Sequence, residues 1–443
     1  MKAITKIFLF VLVLLGVSCS DTVKDTVSYM ANVPVYLSRD DFRSAVKVES
    51  TRPLKNPGKI CLYGDYLFIN EVNAGIHVID NSDPSSPRNV AFIEIQGNID
   101  LVAKDGILYA DNLVDMLLFD ISDPQTPKLK RRVESVFTGV LPATNNEYPV
   151  SQIDTTGKVI VGWTQETITE EVKYTVTYPR YDYVYLASNS AGSWKMDSYQ
   201  PGAKITGANG SMSHFAINGN YLYTIHIQNA FNQAQPPYSS YWVGPSGWLK
   251  VFDIENDRFE SVNSVNVSTT VETMFAYNDH LFLGMSNGMQ IYSIENPTAP
   301  VYLSATWHFW GCDPVVVSGD YAYLTIRSTN VCGQGGNLLQ VIDISNIVQP
   351  QVVTQYAMQE PFGLGIDDNK LFVCDNGLKV FDATNPVQVG SKLLLSTTDF
   401  KGYDLIPYNN LLLVIGGDGL YQYRYSSDNQ LQRLSVIPVS NEQ

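Results

Sequence analysis

Four acidic residues stand at comparable places in a chain of 443 residues: Asp100 in NIDLVA, Glu272 in VETMFA, Asp313 in GCDPVV and Asp404 in GYDLIP. Each opens an apolar run of strand-like composition. If those runs line one channel, the carboxylates could hold a cation or sugar hydroxyls, or supply a general acid and a general base with separated pKa values. A short acidic side chain at the start of a strand also caps loop amides, and that reading needs no ligand. Arg327 is the natural positive partner near Asp313, and His308 in TWHFWGC is close in sequence. A lone His beside aromatic residues can equally be a packed side chain. The stretch 227–247, IQNAFNQAQPPYSSYWVGPSG, interleaves Phe231, Tyr238, Tyr241 and Trp242 with Pro, Gln, Asn and Ser, and Trp248 follows it. Flat rings with polar neighbours suit stacking on sugars or peptides, whereas the bland alternative is that they fold back over the sheet edges beneath.

Other chemistries lack their residues. The chain has no G-x-S-x-G elbow, Walker loop or H-E-x-x-H, so no named catalytic class is supported. It has no C-x-x-C or His-rich spacing, so neither a metal nor a cofactor is expected. IDTTGKVIVGW (153–163) superficially resembles the tryptophan-docking repeat of quinone-dependent propeller dehydrogenases, but it occurs once and a Gly turn explains it.

The first residues, MKAITKIFLFVLVLLGVSCSD, place Lys2 and Lys6 before an apolar run from Ile7 to Val17. That run is the length of a signal-peptide core and too short to span a bilayer. Its end, Leu15-Gly16-Val17-Ser18-Cys19, resembles a bacterial lipobox, with Gly16 where the usual pattern has Leu. The expectation is a lipoprotein signal over 1–18, a lipidated Cys19, and a polar tether over 19–32; an ordinary signal-peptidase site beside an incidental Cys is the alternative. Losing Lys2 and Lys6 leaves 27 basic against 44 acidic residues, a formal charge of −17. Such a surface repels phosphate backbones, so nucleic acid is excluded as a partner. Export permits disulfides. Cys312 and Cys332 flank one hairpin and form the candidate pair, whereas Cys61 and Cys374 sit in strand patterns and read as small buried apolar residues.

The elements that would position these side chains are repeats. GIHVIDNSDPSSP (75–87) returns as DMLLFDISDPQTP, GMQIYSIENPTAP, LLQVIDISNIVQP and GLKVFDATNPVQV. Eight tight polar turns between alternating apolar residues precede such phrases, at 63–70, 104–111, 155–163, 218–225, 278–285, 318–325, 367–374 and 408–415. The third strand starts at 75, 115, 248, 288, 338, 377 and 419, in steps of 40, 133, 40, 50, 39 and 42. A weak further copy at 182–194 divides the long step. Four strands per period of about 40 residues predict the blades of a β-propeller, all-β, with eight four-stranded blades favoured and seven if 138–210 is irregular. The closing residues Asp80, Asp120, Asp253, Asp343 and Asp382 are expected to bond the next backbone amides and start turns. Residues 33–443 form one domain. VPVYLSRDD (33–41) echoes the fourth-strand segment 299–307 and is expected to pair with the last blade.

The units IHVID, LQVID and LKVFD, each before an S/T-N/D-P turn, resemble the LVIVD repeat of bacterial and archaeal surface proteins, over about residues 57–440. The resemblance implies a propeller on a cell surface, often lipid-anchored, and brings no established catalytic residues. Second-to-third connections hold three expansions, at about 164–181, 227–247 and 327–337, on the face that the inter-blade loops share. Long loops on a rigid scaffold are the usual home of binding sites. The expected function is therefore a bacterial envelope lipoprotein, at the outer membrane or cell surface, held to the membrane through Cys19. Its propeller would bind or scaffold an extracellular glycan or a partner protein, and would more naturally be a non-enzyme. The alternative is a glycan-acting hydrolase or lyase that uses two of the four carboxylates.

Overall fold

The structure is a computed structural model that describes residues 22–144, 147–175, 211–232, 241–308, 311, 314–328 and 336–440. Seven antiparallel sheets, each led by an innermost strand, follow one another along the chain. Their innermost strands are Pro57–Tyr63, Leu101–Lys104, Phe215–Asn218, Val271–Tyr277, Val315–Ser318, Pro361–Asp367 and Gly402–Tyr408. They head blades 1 to 7, each four strands deep in the order of the chain; blade 1 carries Lys47–Glu49 as an additional outer strand. The fold is a seven-bladed β-propeller.

Alternation of side chains along each strand gives every blade two apolar faces that only neighbouring blades can cover. Blades 1, 2 and 3 share one core through Ile76, Leu101, Phe119, Phe215 and Leu222. Further cores join blades 3 and 4, 4 and 5, 5 and 6, and 6 and 7. Ile60, Leu67 and Ile69 of blade 1 meet Leu413, Ile415 and Leu420 of blade 7, which closes the ring. Each such side chain, fully withdrawn from water, contributes about 1.5–3 kcal/mol.

The turns follow the sequence closely. Asp80, Asp120, Asp253, Asp343 and Asp382 each accept the amide two residues ahead, at 3.1, 2.9, 2.9, 2.8 and 2.9 Å. Hydrogen bonds from the hydroxyls of Ser82, Ser345 and Thr384, together with the amide bonds, hold the carboxyls of Asp80, Asp343 and Asp382 below the ordinary range, and the Ser122 amide does the same for Asp120. Glycine opens several third strands for a different reason. Gly75 (φ +144°) and Gly377 (φ +117°) pass so close to the fourth strand that a Cβ would lie 2.0 Å from the carbonyl oxygens of Ile93 and Thr397. Cys61 and Cys374 are free thiols buried in the sheets.

Three expectations are corrected. The turn at 155–163 does not begin an eighth blade: it leads into a strand, Lys158–Thr175, that pairs antiparallel with Thr22–Ser38 as a separate two-stranded ribbon. Val159 then buries its side chain with Phe42 and Leu113 instead of within a blade sheet. The copy at 182–194 lies outside the described residues. Residues 33–38 accordingly pair with residues 158–164 and not with blade 7, whose four strands all come from residues 402–438. The seam between first and last blades is held by a parallel bridge of Leu54 to Val439 and by the Ser440 amide donating to the Leu54 carbonyl at 2.6 Å. Residues 22–32, expected as tether, are strand.

Candidate functional site at the channel mouth

In every blade the first strand starts, and the second ends, on one face of the ring. That face carries the inter-blade loops and the second-to-third connections, and the starts of the first strands surround the central channel there. Asp100 stands just before Leu101–Lys104 of blade 2 and is 2% exposed. Its carboxylate accepts the amides of Leu101 at 2.8 Å and His214 at 2.7 Å, and it forms an ion pair with the fully buried Lys59 of blade 1. Asp111, at the end of the second strand of the same blade, accepts the amides of Ile99 and Asp100, both at 2.8 Å, and the Asn98 side chain at 2.7 Å. Asp404 of blade 7 is wholly buried; one carboxyl oxygen accepts the Ser211 hydroxyl at 3.1 Å and the other has no hydrogen-bond partner among the described residues.

Ser211–His214, the chain entering blade 3, lies across this mouth. Ser211 Oγ donates to Asp404 and accepts the Leu364 amide of blade 6 at 2.9 Å. The Ser213 carbonyl accepts the Met274 amide of blade 4 at 2.6 Å, and the His214 amide reaches Asp100 of blade 2. Ser211, Ser213 and His214 thus bond to four blades, and Ser211, Met212 and Ser213 are buried. In the dry environment they create, one cation faces three acids. Burial pushes Asp404 well above the usual carboxyl range and Asp111 up to about 7; it also raises Asp100, against the pull of Lys59. Burial, with Lys59 nearby, holds His214 well below the ordinary imidazole range.

The four carboxylates of the sequence reading therefore separate. Asp100 and Asp404 are both at the mouth but bonded into it; Asp313 lies outside the described residues. Glu272 is half-buried in the first strand of blade 4 and interacts with Arg327. Arg327, 9% exposed, follows the second strand of blade 5, Tyr321–Ile326, and lies over the Phe362 ring of blade 6 at 4.2 Å. Phe362 in turn meets Tyr403 of blade 7 edge to face at 5.3 Å. Burial lowers the Arg327 guanidinium, while Glu272 and Glu360 act in the opposite direction.

The second group of candidates rises from blade 3. Its two central strands, Tyr221–Asn232 and Tyr241–Asp253, run past the rest of the blade as a hairpin arm, because the outer strand stops pairing at Gly247. In this arm Tyr241 is opposite Asn232, Trp242 opposite Phe231, and Trp248 opposite His226. Tyr238 lies outside the described residues, as do Cys312 and Cys332. Near the root of the arm both ring nitrogens of His226, Trp248 Nε1 and Thr224 Oγ1 are buried and have no hydrogen-bond partner among the described residues. These residues share the face of blade 3 turned to blade 2, where His226 packs edge to face on Phe137 at 5.7 Å. His308 is half-buried and its amide donates to the Asn287 carbonyl at 3.1 Å. Its neighbour Trp307, at the loop-face end of blade 4, is 62% exposed. The sequence reading passed over Trp307, although TWHFWGC contains it. No group of metal-ligating side chains occurs among the described residues.

The ribbon is rooted on the same face. Phe42 of the helix Arg39–Ser44 packs on Leu113, in the second-to-third turn of blade 2, and on Val159. Beneath it the buried Asp115 pairs with Arg43 and Arg132, each at 3.0 Å.

The family model described as LVIVD repeat matches residues 57–92 and 312–358. No match occurs among curated proteins. Among solved structures, the periplasmic gluconolactonase PpgL of Pseudomonas aeruginosa is similar at 10% identity with a TM-score of 0.50, over 87% of this chain and 97% of that one. Sqt1 of Saccharomyces cerevisiae (8% identity, TM-score 0.45) and Hsv2p of Kluyveromyces lactis (8%, 0.44) each align over 87% of this chain and 97% of their own. At these identities the likeness is one of fold. The chain is a seven-bladed β-propeller that carries LVIVD repeats.

Proposed function

We propose that this propeller is a lipid-anchored binding or scaffolding module of a bacterial envelope, which engages an extracellular glycan or a partner protein with its loop face. One observation carries the reading: Asp100 and Asp404 at the channel mouth are buried against Lys59, Ser211 and backbone amides, while the blade-3 hairpin and the two-stranded ribbon are rooted on that same face. A rigid ring whose buried mouth carboxylates are closed to solvent and whose face carries projecting arms suits recognition better than turnover. The exposed Trp307 at the loop-face end of blade 4 supports contact with a hydroxyl-rich or peptide ligand. A hydrolase reading would need two carboxyl groups open to one substrate about 5–9.5 Å apart, and Asp100 and Asp404 are both closed to solvent.

The test is a glycan array probed with the full chain and with Trp242→Ala. Retention of a subset of glycans by the wild type, with at least a tenfold loss in the variant, is expected. No retention by the wild type contradicts the glycan reading, and equal retention by both proteins contradicts the blade-3 arm as its site.

A further inference from the structure

We infer that the ribbon of Thr22–Ser38 and Lys158–Thr175 is a rigid standoff that holds the propeller away from a lipid surface at a set distance. The inference rests on the reading of Cys19 as the acylated residue. Three peptide units separate Cys19 from Thr22, so the Cα of the acylated residue lies within at most about 11 Å of the start of the ribbon. From that point the chain is strand, paired rung by rung from Thr22 with Thr175 to Ser38 with Lys158, with a single irregularity at Val35/Tyr36. Thus the segment between anchor and body has the stiffness of paired strand, not of free coil.

The root of the ribbon is clamped. Ala31 and Asn32 are buried; the Asn32 amide donates to the Pro149 carbonyl at 2.8 Å and the Ser151 amide to the Asn32 carbonyl at 3.0 Å. Below them Phe42 and the Arg43–Asp115–Arg132 cluster fix the helix Arg39–Ser44 to blade 2. Beyond Ala31 the character changes: Val27 and Met30 are exposed, and Ser28 meets Thr169 across the rung at 2.8 Å in solvent. The free part, Thr22–Met30 with its partner strand, is therefore about 30 Å long at the usual rise of a strand.

The free part carries Asp25, Glu170 and Glu171 against Lys24 and Lys173, a formal charge of −1, so it has no net attraction to anionic headgroups. The body, at a formal charge of −17 once residues 1–18 are removed, is repelled by the same headgroups. That repulsion is screened over roughly 8 Å at physiological salt, well inside the reach of the ribbon.

The experiment places the full lipidated protein on a supported bilayer of phosphatidylethanolamine and phosphatidylglycerol and measures the density profile by neutron reflectometry. Deleting residues 23–28 together with 169–174 removes six rungs, an even number that leaves the alternation of faces intact. The wild type should have a solvent-rich gap of about 30 Å, and the shortened chain a gap smaller by about 20 Å. A second variant keeps the ribbon and inserts a twelve-residue Gly-Ser linker after Ser20; it should smear the gap by roughly 20 Å. Bilayers that hold all three proteins with identical profiles overturn the standoff and leave the anchor standing. A wild type that does not associate with the bilayer overturns the anchor, and the standoff with it.

Discussion

The ammonium of Lys59 and a carboxylate oxygen of Asp100 form a fully buried ion pair that joins the innermost strands of blades 1 and 2 at the channel mouth. Charge burial costs several kcal/mol per ion unless each charge is paired and its remaining hydrogen-bonding capacity satisfied. Asp100 has both forms of support, from Lys59 and from the amides of Leu101 and His214. Lys59→Met should therefore destabilise the fold by about 3–5 kcal/mol, because it leaves an anion buried without its cation. Lys59→Met combined with Asp100→Asn removes both charges and should recover more than half of that loss. Urea unfolding at pH 7 measures both. Equal stability of the single and double variants would refute the pair as the link between these blades.

His226 should make the protein acid-sensitive. Burial, with Lys250 adding to it, lowers its imidazole to about 4, below the 6.5 of an unfolded histidine. The unfolded chain then binds the proton more readily, so stability is full above pH 6.5 and declines as the pH falls toward 4. The contribution at stake is about 3 kcal/mol, at 1.36 kcal/mol for each unit of difference. Asp111 works in the opposite direction: its carboxyl, raised to about 7, favours the folded state increasingly as the pH drops through that value. Comparison with His226→Phe isolates the histidine. The difference in melting temperature between the two proteins should change steadily from pH 7 to pH 4.5, and a constant difference would contradict the assignment.

Gly377→Ala should cost on the order of 2–3 kcal/mol, since neither the fourth strand nor the positive φ can accommodate a side chain there. Gly64→Ala, in a first-to-second turn where a Cβ would meet nothing within 4 Å, bears only the backbone strain of its φ of +58° and should cost less. Thermal melts of the two variants provide the comparison, and a cost for Gly64→Ala equal to that for Gly377→Ala would rule out the close approach of the strands as the cause.

Most of the ring was legible because its signals are local. Seven of the eight tight turns join first and second strands, and the five closing aspartates cap the turns that follow them. The eighth turn, TTGKVIVGW, has the same local chemistry. Its strand differs only in its partner, since Val159 packs on Phe42 from far along the chain, and no local pattern encodes that choice. The channel mouth was half legible. Asp100 and Asp404 were placed correctly at strand starts, but what meets them was not: SMSH (211–214) has no periodicity or motif, and Lys59 is a lone lysine in an apolar strand. Their significance arises only when blades distant in sequence converge on one axis. Trp307 was hidden for a related reason, because exposure at the end of an outer strand depends on what the neighbouring loops leave uncovered.

The central claim, that recognition resides in the arm of blade 3 on a ring that stands without it, can be measured in one comparison. Replacing residues 228–246 with Asn-Gly joins Ile227 to Gly247, which already face each other, through a two-residue turn. Titration of the wild-type ligand identified on the array into both proteins should give at least a tenfold weaker Kd for the shortened chain, with its melting temperature retained. An unchanged Kd in a folded, shortened protein would contradict the account.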